Sequence, residues 1–154
     1  MRISDVLADK RADKRTGKAT HVITVWPDTR LSLVTRLLDD HNIASVVVVD
    51  HSGRPKGIVT ERELVRTWAR LGAAALNLTA GQAMLSPAPA CSPDDTIGEV
   101  LRLMTDYRVR HVVVMRAGIM VGIVSIGDLV KIRLTDAELE NRVLREMALA
   151  RLVT

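Results

Sequence analysis

In the first half of the chain, short apolar runs typical of strands alternate with stretches in which apolar residues recur at helical spacing. Residues 22–25 form a short apolar segment, and residues 46–48 are a run of valines too short for a helix but typical of a buried strand. A second strand is predicted over residues 56–60, and a helix over about residues 61–71. Between the first two strands, the helical spacing of four apolar residues predicts another helix: Leu31, Val34, Leu37 and Leu38. The predicted order is therefore β–α–β–β–α.

The same pattern occurs twice. Shifted by 66 residues, the distance from Pro27 to Pro93, the first valine run falls on residues 112–114. After a one-residue deletion in the hairpin turn, residues 57–59 fall on residues 122–124, both reading Gly-Ile-Val. Such agreement through a helix and two strands indicates an internal duplication.

The second copy therefore predicts the same elements. Its first strand covers residues 89–91, its hairpin turn contains Ala117-Gly118, and its last strand covers residues 120–125 before a helix from about residue 126. Thr96 and Glu99 have capping-box spacing and place a helix start near Thr96. That helix carries Ile97, Val100, Leu101 and Met104 at helical spacing.

The fold class is predicted as α+β with α/β-like features: two β–α–β–β–α units, each with a small mixed sheet flanked by helices. One unit alone is too small to cover its sheet, so the two should pack together. Residues 1–72 are assigned to the first unit, with an N-terminal helix and a basic loop at 9–20. Residues 73–134 form the second unit with a linker helix at 79–84, and residues 135–154 a C-terminal amphipathic helix. Its apolar positions should dock on the core or on a second subunit: Leu139, Val143, Met147 and Ala150.

Composition indicates the kind of core and the cellular environment of the protein. Of 154 residues 47% are hydrophobic but only 2% aromatic, so the core must be aliphatic. Cys91, the single cysteine, forms no internal disulfide, and the first residues carry charges where a secretion signal needs an apolar run. No stretch approaches the length of a membrane span. We expect a cytoplasmic protein.

The net charge of +4 raises the question of nucleic-acid binding. Five basic residues fall in one polar run: Lys10, Arg11, Lys14, Arg15 and Lys18. The chain has only two Trp and one Tyr that could stack on bases. A solvated loop is therefore the favoured interpretation of this basic run.

At the junction of the last strand and final helix, the second copy reads Gly122-Ile123-Val124-Ser125-Ile126-Gly127-Asp128. The first copy reads Gly57-Ile58-Val59-Thr60-Glu61-Arg62-Glu63 there, and residues 43–46 and 109–112 lead into the central strands. In these segments and in the duplication, residues 3–134 resemble the CBS domain family, named after cystathionine β-synthase, in which two units form a Bateman module. The family expects Asp or Asn where the first copy has Glu63, which puts that site in doubt.

Physical chemistry supports a ligand at this junction. A glycine lets a ligand approach the backbone, a hydroxyl and a helix N-terminus favour a phosphate, and a carboxylate one turn later can accept from ribose hydroxyls. The resemblance implies Ser125 for phosphate, Asp128 for ribose, and the strand-entry segments for the base. The second site would comprise Ser125, Asp128, Gly122, Ile123, Arg110, His111, Val112, Cys91 and Lys131. The first would comprise Thr60, Glu63, Gly57, Ile58, Ala44, Ser45, Val46, Thr24 and Arg62.

A purely structural alternative stays open, in which the hydroxyls are helix caps and the carboxylates only stabilise helix starts. His111 could equally be a hydrogen-bonded structural histidine. Cys91 is favoured as a small core residue over a nucleophile, and the other histidines have no metal-ligand spacing.

The leading hypothesis is a stand-alone regulatory module that senses an adenine nucleotide (AMP, ADP, ATP or NAD), with no catalytic cofactor and no metal. The resemblance implies a homodimer, and the output would pass to an unknown effector protein or through dimer rearrangement. The alternatives are an interaction module with vestigial sites and, less favoured, a nucleic-acid-binding protein. Catalysis is the least favoured class, because no nucleophile–base pair, P-loop or dinucleotide fingerprint is present.

Overall fold

The computed structural model describes residues 1–12 and 22–152. A helix, α1 (Ile3–Ala12), precedes the first unit. That unit contains β1 (Thr24–Val25), α2 (Leu31–Asp40), β2 (Ser45–Val49), β3 (Pro55–Thr60) and α3 (Glu61–Leu71). The predicted β–α–β–β–α order is confirmed.

The second unit repeats this order after a short connection. A 3₁₀ helix (Gly72–Asn77) and the four-residue helix α4 (Ala80–Ala83) lead into it. The unit itself contains β4 (Ala90–Cys91), α5 (Ile97–Asp106), β5 (His111–Arg116), β6 (Ile119–Ser125) and α6 (Ile126–Leu152). The predicted capping box at the start of α5 is present, because the Thr96 side chain accepts from the Glu99 amide while the Glu99 side chain accepts from the Thr96 amide.

Each unit has one small mixed sheet, which confirms the predicted fold class. In the first, β2 lies in the middle, parallel to β1 and antiparallel to β3, so that Val47 pairs with Thr24 on one side and Ile58 on the other. In the second, Val113 on β5 has the same place between β4 and β6.

Apolar side chains on the inner faces of the two sheets pack against each other. Val47, Val49 and Ile58 of the first unit form one buried cluster with Val113 of the second. The opposite face of each sheet is covered by that unit's own two helices together with the helix that precedes the other unit. The two units therefore share a core, as the size of a single unit predicts.

The helix that precedes each unit packs on the other unit. Ile3, Val6 and Leu7 of α1 belong to the core of the second unit, and the Ile3 amide donates to the Asp95 carbonyl oxygen at 3.0 Å. Ala80 of α4 belongs to the core of the first. Our sequence division placed α1 with the first unit. Its apolar side chains instead complete the second core, a pairing between distant segments that periodicity along the chain cannot indicate.

Two predicted segments differ in the structure. The basic loop expected at 9–20 begins as the last turn of α1, which continues to Ala12, and residues 13–21 lie outside the described residues. The final helix of the second unit and the C-terminal helix expected at 135–154 are one continuous helix, α6, because neither proline nor glycine interrupts the chain after Gly127. The predicted apolar stripe of α6 is exposed rather than docked on the core. No helix in the described ranges is long and apolar enough to cross a membrane.

Candidate functional site

A cleft of about 880 Å³ opens between the two units and receives the N-termini of both α3 and α6. From the first unit and α4–β4 connection it is lined by Ala44, Ile58, Thr60, Glu61, Arg62, Glu63, Arg66 and Leu85. From the second it is lined by Tyr107, Arg108, Val109, Arg110, His111, Ser125, Ile126 and Gly127. The two motif ends, distant in sequence, thus face one shared space.

In the first unit, the motif residues cap helix α3. The Glu63 carboxylate accepts from the Thr60 amide at 2.8 Å and from the Thr60 hydroxyl, and the Thr60 hydroxyl accepts from the Arg62 amide at 3.2 Å. Glu63 is only 7% exposed, yet it lines the cleft. Glu63, which departs from the family pattern, thus completes a capping box at the start of α3.

In the second unit, Ser125 and Asp128 bond to each other reciprocally. The Ser125 amide donates to Asp128 Oδ2 at 2.8 Å, and the Asp128 amide donates to Ser125 Oγ at 3.2 Å. Lys10 of α1 adds an ion pair, with Nζ 2.9 Å from the same Oδ2 and 3.1 Å from the Ile123 carbonyl oxygen. Burial acts to raise the pKa of Asp128, but Lys10 and the bonds from Ser125 outweigh it, so the pKa is lowered.

The motif glycines serve chain packing in this structure. A Cβ atom on Gly57 would lie 2.6 Å from the Leu85 carbonyl oxygen, and one on Gly122 would lie 2.8 Å from Leu7 Cδ2. The segments that press on these glycines are those that precede the opposite unit. The glycines thus leave room for the segments that precede the opposite units, and the close approach of a ligand to them stays a prediction.

Eight of the predicted site residues line the cleft together. They are Ala44, Ile58, Thr60, Arg62 and Glu63 of the first set and Arg110, His111 and Ser125 of the second. The remaining predicted residues are not among the lining residues: Thr24, Ser45, Val46, Gly57, Cys91, Val112, Gly122, Ile123, Asp128 and Lys131. Val46 and Val112 are fully buried in the sheet cores, and Lys131 is exposed on α6. The structure therefore brings the two predicted sites to a common cleft but leaves the Asp128 carboxylate beside it.

Several lining residues were missed from sequence. Arg66 lies one helical turn beyond Arg62 on α3, and Arg108 lies in the connection between α5 and β5, where its carbonyl oxygen accepts from Arg62 Nη1 at 3.0 Å across the two units. Neither belongs to the repeated motif. The i, i+4 spacing of Arg62 and Arg66 was the one available signal.

The cleft is rich in cationic side chains. Four arginines line it, namely Arg62, Arg66, Arg108 and Arg110, against the carboxylates of Glu61 and Glu63. Burial lowers the pKa of His111, although the Asp128 carboxylate acts in the opposite direction, so this histidine is neutral near pH 7. The balance favours an anionic ligand.

Two further candidate chemistries are a cysteine nucleophile and a metal site. Burial raises the pKa of the Cys91 thiol to about 12, so the thiolate that a nucleophile or ligand needs does not form near neutral pH. Within residues 1–12 and 22–152, no group of three or more His, Cys, Asp and Glu side chains is arranged to hold a metal ion.

Comparison with known proteins identifies the family. The profile of the CBS domain matches residues 19–70 and again residues 80–135. The chain belongs to the CBS domain family. Its two repeats are tandem CBS domains, and pairs of this kind are generally non-catalytic regulatory modules.

CBS-domain proteins from two bacteria and one plant are similar to this chain. A crystal structure of a CBS-domain-containing protein from Agrobacterium tumefaciens is 38% identical with a TM-score of 0.75, over 86% of this chain and 92% of that one. A CBS-domain protein from Burkholderia ambifaria is 27% identical with a TM-score of 0.76, over 88% and 96% of the two chains. The mitochondrial CBS domain-containing protein CBSX3 of Arabidopsis thaliana is 30% identical over 84% of this chain. The match spans 63% of that plant protein's length.

Proposed function

We propose that this chain is a regulatory module that binds an adenine nucleotide between its two CBS domains. The level of the nucleotide would be passed to a partner protein or through rearrangement of a homodimer. One observation supports this most directly. A single cleft combines the N-termini of two helices with four arginines, and aliphatic residues such as Ala44, Ile58 and Val109 flank the cationic groups. Helix N-termini and guanidinium groups bind phosphates, and aliphatic walls accept a base.

The charge of the cleft narrows the ligand class. Arg62, Arg66, Arg108 and Arg110 give it an excess of positive charge over its two glutamates, so a nucleotide with several phosphates suits it better than a neutral nucleoside. A protein of the same fold, 20% identical with a TM-score of 0.72, was solved as a CBS domain pair with 5′-methylthioadenosine and S-adenosyl-L-methionine. Because the sulfonium of the second compound is cationic, we expect this cleft to prefer ATP or ADP to S-adenosyl-L-methionine.

Thermal unfolding with AMP, ADP, ATP, NAD and S-adenosyl-L-methionine tests the proposal. A ligand at 100 times its Kd stabilises the native state by about 2.7 kcal/mol, or roughly 5–10 °C in Tm for a chain of this size. We expect that shift with at least one phosphate-bearing ligand and a smaller one with S-adenosyl-L-methionine. Arg66→Gln should weaken it, whereas Arg36→Gln, on the exposed side of α2 and outside the cleft lining, should not.

If none of these ligands raises the Tm of the wild-type protein at millimolar concentration, the alternative in which the sites are vestigial is favoured. The two capping boxes would then account fully for Thr60, Glu63, Ser125 and Asp128. A partner captured equally well by the Arg66→Gln variant would support that interaction module.

We also propose that two copies associate through α3 and α6. Val65 on α3 is 68% exposed, and Val130, its counterpart in the repeat, is 44% exposed on α6. Trp68 is 54% exposed on the same helix as Val65, so it does not serve the core of this chain. Large exposed apolar side chains at equivalent places of both units indicate an association surface.

A further inference from the structure

Helix α1 brings one cation to the second CBS domain from outside the repeat. Ile3, Val6 and Leu7 anchor α1 in that domain's core, and Lys10 follows Leu7 by three residues, about one helical turn. The anchoring points Lys10 at the start of α6, where Nζ meets Asp128 Oδ2 at 2.9 Å. Arg11 is the next residue and donates to the Val121 carbonyl oxygen instead, at 3.4 Å.

The pair occupies the carboxylate that a ribose would need. Asp128 Oδ2 already accepts from both the Ser125 amide and Lys10, and Lys10 is held in addition by the Ile123 carbonyl oxygen. A vicinal diol that donates to both carboxylate oxygens would have to share Oδ2 with two existing donors. Because an ionised carboxylate offers a limited set of lone-pair directions, Lys10 must leave for such a ligand to bind there.

The two CBS domains differ in this respect. In the first, Glu63 lines the central cleft and bonds to Thr60 of its own helix cap. In the second, Ser125, Ile126 and Gly127 line the cleft, but Asp128 faces α1 and is not among the lining residues. Met84 contacts Gly57 as Leu7 contacts Gly122, but three residues after Met84 the sequence has Pro87, which lies beyond the end of α4. Proline has no cationic group, so it cannot make a contact of this kind with Glu63.

We propose that Lys10 is an intramolecular occupant of the Asp128 carboxylate and determines which ligand groups the second CBS domain accepts. This inference rests on the proposed nucleotide binding. With the pair intact, the second domain offers the cleft its helix N-terminus and Arg110, both of which bind anions. With the pair broken, it also offers a carboxylate that binds a ribose diol. Release of α1 therefore changes the specificity of this half of the module from phosphate alone to phosphate and sugar.

Lys10→Met tests this with Arg11→Met as the matched control. Methionine keeps the apolar stem and removes the charge, and Arg11 is the adjacent exposed residue of the same helix. Calorimetric titration would use adenosine, which carries the diol without phosphate, and 2′-deoxyadenosine, which lacks one hydroxyl. We expect Lys10→Met to bind adenosine about two- to fivefold more tightly than wild type, since a partly exposed ion pair no longer competes. The affinity for 2′-deoxyadenosine and the behaviour of Arg11→Met should be unchanged.

The outcomes separate this inference from the proposed function. A gain in adenosine affinity that persists in the double variant Lys10→Met/Asp128→Asn would overturn this inference, because the gain must depend on the Asp128 carboxylate. Equal adenosine affinities of wild type and Lys10→Met, with ATP bound by both, would also overturn it and leave nucleotide binding intact. If neither ATP nor any other adenine nucleotide binds to any variant, the proposed function fails and this inference fails with it. Thermal unfolding of each variant would establish that all of them are folded.

Discussion

A Cβ atom added to Gly57 would lie 2.6 Å from the sulfur of Met84 and equally close to the Leu85 carbonyl oxygen. The second unit has a related contact, between Gly122 and Leu7, but there the obstructing atom is the end of a flexible side chain. Each motif glycine therefore lies where the segment preceding the other unit crosses the sheet. The two sites differ in how easily that segment can move.

We expect Gly57→Ala to destabilise the protein by about 1–3 kcal/mol, since the backbone at Leu85 must shift. Gly122→Ala should cost less, because Leu7 can change its rotamer. Gly98→Ala is the control: its new methyl group would have only Arg133 nearby, at 3.9 Å, and it replaces a helical glycine, so stability should be unchanged or rise by up to about 1 kcal/mol. Urea unfolding measures all three, and similar losses at Gly57 and Gly98 would contradict the packing role.

A second prediction concerns Cys91, at the end of β4 in the core of the second unit. Because the thiol pKa is raised to about 12, an aromatic disulfide reagent near pH 8 should react with native protein far more slowly than with a small thiol. In denaturing urea the same thiol should react at once. The absorbance of the coloured thiolate that the reagent releases measures the reaction. Rapid labelling of the folded protein would contradict the prediction and would show that β4 opens readily.

Much of the fold could be predicted from sequence because the signals are local and occur twice. The valine strands, the Thr96–Glu99 capping box and both hairpin turns depend on neighbouring residues alone. The continuity of α6 past residue 134 was also implicit in the absence of any breaker, although we assigned its C-terminal part to a separate helix. Local chemistry thus determines the elements and their order.

The candidate site could be predicted only in part, since it depends on contacts between segments far apart. The repeated motif identified Thr60 and Ser125, and these two do line the same cleft. Nothing in the motif could indicate that Lys10 reaches Asp128, because the pair joins residues 118 apart and exists only when α1 packs on the second unit. Arg108 was missed for a similar reason: it lies in a connection that only the packing of the two units brings to the cleft.

His111 should make stability depend on pH. Burial lowers the pKa of this histidine in the folded protein, so the native state binds fewer protons than the unfolded state below the ordinary histidine pKa of about 6.5. The stability that His111 contributes is therefore complete above that pH and is lost as the pH falls toward the lowered folded-state pKa. Thermal unfolding from near pH 7.5 to near pH 5 should show a smaller decrease in Tm for His111→Asn than for wild type.

The proposed association surface gives the last prediction. Val65 and Val130 are equivalent residues of the two units, and both are exposed on helices that begin at the central cleft. A carboxylate at either place would be buried in a dimer without a partner, at a cost of several kcal/mol, but would be solvated in a monomer. We therefore expect the wild-type protein to be dimeric and the Val65→Glu and Val130→Glu variants to be monomeric. Light scattering coupled to size-exclusion chromatography measures the difference. Ile119→Glu, at a residue as exposed as Val65 but in the β5–β6 hairpin, should remain dimeric. If the wild-type protein is monomeric, or if only Ile119→Glu dissociates it, association through α3 and α6 is wrong.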